Sequence, residues 1–527
     1  MKRLHLGLMS LATFILVFAS LVFVAYSYNL ITFPYDYDQG EGFELVDTIL
    51  FSEFRYPYQN TDQYPYYSSN YPPLYHVIAA PFVWIFGEAY WYGRLLSAIS
   101  TVIAALAIMF AVNRETSHRW IAVLSGLAFL SSNTVYHIAP LFRQHIMMVM
   151  FETLAIVLLA HAIPKKQNRL ILTGLLLLII AGYTKQLAAI TALATIAWML
   201  LRNPIRGIKY TLGFTLVGGL IFAWLTVDTN GEWWRQTIVA NVNEFNPFQT
   251  FGLTLLWLRL HVLLIIPAIL MVLYDLYFNR LSLYSVWFVM ATILGAFGSG
   301  TWGAGDSYFA TSIAAMCILS GIFLGRTLQN GWSLQSNNRY IGLLAPIKAS
   351  KTILMPVMLI LIPSLYIGYG IMTFKMPTEG AVFGEIASVF NIQPNVFDRH
   401  YDSASYDVLG YANIGHFVTK TDIENGDYIV ELIRQTDAPV MSEEAGFSIA
   451  AGRDVITNPT QLRNLWLNGL WNGDELLAEI ENQSFGMIIF RAQFYPVPVL
   501  EVIGQTYTIE ETVTLNGFEY LILRPLE

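Results

Sequence analysis

Long apolar stretches separated by short polar loops fill the first 375 residues of this chain. The first runs from Leu8 to Phe33. Others follow at about 91–113, 119–139, 145–163, 170–184, 186–201, 210–227, 253–274, 282–298, 307–325 and 352–373, about eleven in all. A helix rises 1.5 Å per residue, so roughly 20 apolar residues cross a bilayer. The pattern predicts a mainly α, polytopic membrane bundle. Leu74 to Gly87 is too short to span and ends at Pro81 and Gly87, so it reads as an interfacial helix. From about Lys375 the rhythm changes. Asp422 to Thr436 and Asp474 to Gln483 have helical periodicity, while Pro439 to Ser442 and Phe485 to Phe490 read as strands. Thr506 to Val513 and Phe518 to Leu523 flank Asn516-Gly517, a dipeptide that tolerates the positive φ of a tight hairpin turn. The expected organisation is therefore a bundle over 1–375 and a small soluble α/β domain over 376–527.

Composition agrees with a membrane protein: 55% of residues are hydrophobic and 13% charged, and the mean hydropathy is +0.50. The Met-Lys-Arg start before the first stretch admits a signal peptide, but no small-residue cleavage site follows it, and an anchor is expected. Charge sets the orientation. Lys2/Arg3, Arg114/Arg119, Lys165/Lys166/Arg169, Arg202/Arg206/Lys209, Arg280 and Arg326/Arg339/Lys348/Lys351 fall on alternate loops, which are then cytoplasmic. The opposite loops, 33–73, 140–145, 228–252 and 299–306, lie outside, and an odd span count places the C-terminal domain outside as well. That domain carries 22 acidic against 7 basic residues. Such an acidic surface repels phosphate backbones and argues against nucleic acid as a partner. It has no glycine-rich phosphate loop, Cys/His metal spacing or nucleophile elbow, so no chemistry is assigned to it. The single cysteine, Cys317, excludes an internal disulfide.

Candidate chemistry concentrates in the outer loop 33–73, where Asp36, Asp38, Glu41, Glu44, Asp47, Glu53 and Asp62 face a single Arg55. Asp38-Gln-Gly-Glu41-Gly42 sets two carboxylates beside two glycines just before a helix that begins near Phe43. The pair suits a general base for an acceptor hydroxyl or oxygen ligands for a divalent cation, Mg²⁺ or Mn²⁺. It equally suits acids that favour a helix N-terminus. The tyrosines of Asn70-Tyr71-Pro-Pro-Leu-Tyr75 fit sugar stacking or an ordinary aromatic belt. Arg259 and His261 lie in an apolar stretch, where a cation must snorkel or meet an anion such as a lipid phosphate. Lys185 and Arg143 are the other outer-side cations that fit a phosphate or a headgroup. Glu152, two helical turns from His145, is either functional or paired within the bundle.

The segments D-x-G-E-G, NYPPLY, APFVWIFG and YGRLLSA (with Gly93 and Arg94) resemble those of bacterial GT-C glycosyltransferases, relatives of protein O-mannosyltransferases and of the lipid A aminoarabinose transferase. Thr184-Lys185-Gln186, Asn241-Val-Asn243 and Gly303-Ala-Gly-Asp-Ser-Tyr308 extend the likeness, and PVMSEEAG…AGRDV continues it into the tail. The resemblance implies a sugar donor carried on a polyprenyl phosphate, transferred with inversion at the outer face of the cytoplasmic membrane. Asp38 would be the base, with Glu41 beside it. Lys185, Arg259, Arg143, His145, Tyr71, Tyr75 and Tyr308 would hold the donor, amid membrane lipids. The acceptor is not specified. One departure stands out: where many relatives carry Arg-x-Asp, this chain has Arg143-Gln144-His145. A catalytically inactive scaffold and a lipid or solute transporter are the competing classes, although transporter-like repeats are not evident.

Overall fold

The computed structural model describes residues 2–329, 331–332, 351–373, 377–378, 382–392 and 416–526. Arg339, Lys348 and the expected boundary at 375/376 lie outside them. Among the described residues, seven helices are long and apolar enough to cross a membrane: Lys2–Ile31, Trp91–Thr116, His145–Ala162, Pro204–Asp228, Pro247–Phe278, Asp306–Gln329 and Leu354–Thr373. The chain is a multi-pass membrane protein. The other four expected spans form the shorter apolar helices Arg119–Leu130, Asn168–Thr184, Gln186–Arg202 and Leu283–Gly298. Local chemistry explains two of these. Ser131-Ser132-Asn133 interrupts the stretch 119–139 and starts a second helix, Asn133–Ile138. Lys185 adopts an extended conformation, φ −154° and ψ 133°, that separates Asn168–Thr184 from the next helix. The interfacial segment forms one helix, Leu74–Phe86, which runs through Pro81 and stops at Gly87.

Ala310–Gln329 is the central helix of the bundle, and small residues bring its neighbours close. A Cβ on Gly321 would stand 2.2 Å from the Ser125 hydroxyl, and one on Gly325 would collide with Thr116. Such contacts replace the hydrophobic drive that lipid cannot supply. Glu152 is buried here. It accepts hydrogen bonds from Thr191 at 2.5 Å and Thr311 at 2.7 Å, which ties three helices together.

The C-terminal unit is α/β, as expected. Its four strands are β1 (Val440–Ser442), β2 (Met487–Phe490), β3 (Tyr507–Leu515) and β4 (Phe518–Pro525), in the order β1-β2-β4-β3. β1 and β2 are parallel, and the other pairs are antiparallel. Asn516 and Gly517 have φ of 54° and 79°, the hairpin geometry expected of that dipeptide. The helices Ala445–Ala450, Pro459–Leu467 and Val497–Thr506 had no clear sequence signal. The unit packs directly on the outer loop, since Asn458 donates to Ser68 O at 3.1 Å and Trp471 to Thr61 O at 2.9 Å.

Candidate active site

The acidic loop is held by two arginines from the bundle. Arg94, on the helix Trp91–Thr116, is fully buried. It donates to both oxygens of Glu41, at 3.0 and 2.8 Å, and to the carbonyls of Leu30, Phe33 and Tyr35. It thus caps the end of the first helix and fixes the loop that leaves it. Glu41 also accepts from the backbone N–H groups of Phe142 and Tyr37. Burial pushes its carboxyl pKa up, but Arg94 and those N–H groups outweigh burial and hold it below its ordinary value. Glu41 is the first residue of the helix Glu41–Ser52, entered through Gly40 at φ 103°. A side chain at Gly40 would be strained and would stand 2.9 Å from an Arg143 nitrogen.

Arg143 is the second arginine. It sits in the loop before the helix His145–Ala162, lies 2.5 Å from Asp38 and donates to Gln39 O. Asp36 is likewise enclosed, accepting from Gly42 N at 2.6 Å, Tyr90 Oη at 2.7 Å and Gly446 N at 3.0 Å. The last of these comes from the C-terminal unit. Each carboxylate of the Asp38/Glu41 pair therefore faces a guanidinium rather than the other, a donor set that does not fit a shared divalent cation. Among the described residues no group of three or more His, Cys, Asp or Glu is arranged to hold a metal.

Beside this loop lies a cavity of about 340 Å³. Gln39, Gly40 and Glu44 line it, together with Asn70, Tyr71, Arg143, Lys185, Gln186, Asn241, Asn243, Trp302, Gly303 and Tyr308. Six separate sequence segments thus converge. The Lys185 ammonium lies 4.9 Å from the centre of the Tyr71 ring and 5.9 Å from that of Tyr308. The His145 and Tyr308 rings are 6.1 Å apart, so His145 flanks the site. Arg143 and Lys185 make this concave, aromatic-walled space electropositive, suited to a phosphate with an apolar tail.

Two candidates lie elsewhere. Arg259 is exposed on the outside of the helix Pro247–Phe278 and is not among the residues around the cavity. Helical spacing turns it away from buried Leu260 and His261. Tyr75 is fully buried, its hydroxyl 3.1 Å from Gly93 O and from Ser97 Oγ, so it joins helices rather than facing the cavity.

Sequence reasoning named Glu44 only among the acids of the outer loop and missed the C-terminal residues Asn458, Thr460 and Asn464; all four line the cavity. Glu44 is buried, and burial pushes its carboxyl up to about 8. His76 lies 3.3 Å away, and the Gln144 amide, in the orientation that satisfies its bonding, donates to both Glu44 oxygens at 2.9 and 3.1 Å. The signal for Glu44 was present: it falls one turn after Gly40 and one turn before Asp47, on the helix that the glycine opens.

A family model described as dolichyl-phosphate-mannose-protein mannosyltransferase matches residues 70–238. Comparison with proteins of curated function returned no match. Among solved structures, the chain is similar to ArnT from Cupriavidus metallidurans in the apo state, with 14% identity and a TM-score of 0.57 over 97% of this chain and 98% of that one. It is similar to the same protein bound to undecaprenyl phosphate, with 13% identity and a TM-score of 0.56 over 97% of each chain. Over nearly the whole chain the fold is like that of ArnT, which agrees with the membrane fold that the sequence segments implied.

Proposed function

We propose that this chain transfers a sugar from a polyprenyl-phosphate-linked donor to an acceptor at the outer face of the cytoplasmic membrane, with inversion. The observation that carries this reading is the convergence of Arg143, Lys185, Tyr71 and Tyr308 on one cavity beside the acidic loop. The undecaprenyl phosphate bound by the structurally similar ArnT supports a donor of that class. Residues 1–375 form the catalytic bundle with loop 33–73, and 376–527 an extracytoplasmic domain whose Asn458, Thr460 and Asn464 line the cavity.

In this mechanism Asp38 accepts the proton of an acceptor hydroxyl, whose oxygen attacks the anomeric carbon. The bond from that carbon to the phosphate oxygen breaks, its electron pair leaves with the lipid phosphate, and Lys185 and Arg143 neutralise the departing charge. A single displacement inverts the anomeric centre. Arg143 holds Asp38 in place until the acceptor arrives, while Glu41 holds the loop through Arg94. No divalent cation is required at the Asp38/Glu41 pair.

Turnover of a labelled polyprenyl-phosphate hexose in membranes of the source cell tests the reading. Asp38→Asn keeps size and hydrogen bonding but removes the proton acceptor, so turnover should fall roughly 10²- to 10⁴-fold with donor binding preserved. EDTA should leave the wild-type rate unchanged. Near-normal turnover in folded Asp38→Asn would move the base elsewhere.

A further inference from the structure

Seven amide side chains line the cavity, and three of them, Gln186, Asn243 and Asn464, share one bonding pattern. Gln186 donates through its NH₂ to Asn70 O at 3.2 Å, Asn243 to Trp302 O at 2.9 Å and Asn464 to Gln461 Oε1 at 3.1 Å. Carbonyl oxygens receive each NH₂, so turning any of these amides over would set oxygen against oxygen, and the bonding itself fixes which end faces which way. The three side-chain oxygens, Gln186 Oε1, Asn243 Oδ1 and Asn464 Oδ1, are buried and accept no hydrogen bond. Asn464 as a residue is 2% exposed. A buried carbonyl oxygen without a donor is costly, on the order of 1–3 kcal/mol, and three around one cavity point to a ligand rich in donors. All three residues line that cavity. Trp302 lines it too, with the Arg463 guanidinium 4.5 Å from the ring on which it rests and Phe494 packed at 6.3 Å.

We infer that Gln186, Asn243 and Asn464 form the sugar subsite and select a neutral, hydroxyl-rich sugar on the lipid phosphate. This rests on the donor reading above and deepens it. Three fixed acceptors receive hydroxyl hydrogens. A sugar carboxylate would meet the same oxygens with like charge and no donors, and is rejected. An ammonium sugar has donors, but it would enter a cavity that already holds Arg143 and Lys185. The one cavity-lining carboxyl, Glu44, is engaged by Gln144 and His76. The acceptor wall spans two chain regions, since Asn464 belongs to the C-terminal helix Pro459–Leu467 and the other two to the bundle loops. The C-terminal unit thus contributes directly to donor selection.

The test measures dissociation constants of the purified full chain in nanodiscs for undecaprenyl phosphate and for its hexosyl, deoxyhexosyl, hexuronosyl and aminohexosyl phosphodiesters. The hexosyl lipid should bind about tenfold or more tighter than undecaprenyl phosphate, a factor of ten corresponding to 1.4 kcal/mol. A deoxyhexosyl lipid lacking the relevant hydroxyl, and the uronosyl and aminohexosyl lipids, should lose that advantage. Asn464→Leu and Gln186→Leu should remove it as well, so that the hexosyl lipid binds no tighter than undecaprenyl phosphate. The deoxy probes report on the wild type even where a variant fails to fold. Binding of undecaprenyl phosphate without any gain from a neutral hexose, or an equal gain from a uronosyl group, overturns the subsite while leaving the donor reading in place. Failure to bind any of the lipids overturns both.

Discussion

Glu44 lies one turn inside the helix Glu41–Ser52, buried against His76 and Gln144 at the edge of the cavity. Its carboxyl titrates near 8 because burial disfavours the charged form, against an ordinary 4.5 in the unfolded chain. Between those values the folded state binds the extra proton, so this group stabilises the fold fully below about 4.5, and the stability is lost as pH rises through about 8. Glu44→Gln keeps the protonated shape at every pH. The variant should therefore unfold at a higher temperature than wild type at pH 8.5 and at nearly the same temperature at pH 5, measured by thermal unfolding in detergent. An equal shift at both pH values would remove the titration from the explanation. At this scale the sequence was partly legible. Lys185 and Arg143 stood out because basic residues in the outer loops are few, and Tyr71 and Tyr308 because they fall in the segments that carry the resemblance. Arg259 and Tyr75 were not separable from them, since which way a helical residue faces depends on neighbours distant in the sequence.

Besides the helix Pro459–Leu467, the turn after β2 links the C-terminal unit to the cavity. Glu443, just beyond β1, is buried and accepts from four successive backbone N–H groups, Arg491, Ala492 and Gln493 at 2.6, 2.7 and 2.9 Å, and Phe494. Such a carboxylate fixes the whole turn, and Phe494 from that turn packs against Trp302 at the cavity. Glu443→Gln replaces one acceptor oxygen with a donor that faces N–H groups. It should cost about 1–3 kcal/mol of stability and loosen Trp302, seen as a lowered unfolding midpoint and a red-shifted tryptophan emission. Unchanged stability would mean that the turn is held by other contacts. The strands were readable from β-branched residues and the Asn516-Gly517 turn. Pro459–Leu467, with Thr460 and Asn464, was not: its short helix has mixed polarity because one face meets the outer loop and the other lines the cavity, so no clean period survives.

Across the whole molecule, the outer loop and the C-terminal unit share one side of the bundle through the bonds of Asp36, Ser68 and Thr61 to residues 446, 458 and 471. The basic loops predict that this side is extracytoplasmic. Cys317 is buried and silent, so Gln63→Cys and Ser484→Cys, both at exposed positions, should react with an impermeant thiol reagent in intact protoplasts. Protection of both until lysis would reverse the orientation. Bundle architecture was legible from apolar stretches alone. The number of full-length crossings was not, because polar breaks at Ser131-Ser132-Asn133 and Lys185 shorten helices that composition shows as continuous.

The central claim is that the cavity beside the acidic loop receives a lipid phosphate, and the dissociation constant of undecaprenyl phosphate for two charge variants tests it most directly. A charged contact to phosphate contributes roughly 1.5–3 kcal/mol. Lys185→Ala should therefore weaken binding about 10- to 150-fold, while Arg259→Leu, on the outer surface of its helix, should leave it unchanged. Weakening by Arg259→Leu with full affinity in Lys185→Ala would contradict the account and place the phosphate on the lipid-facing surface instead.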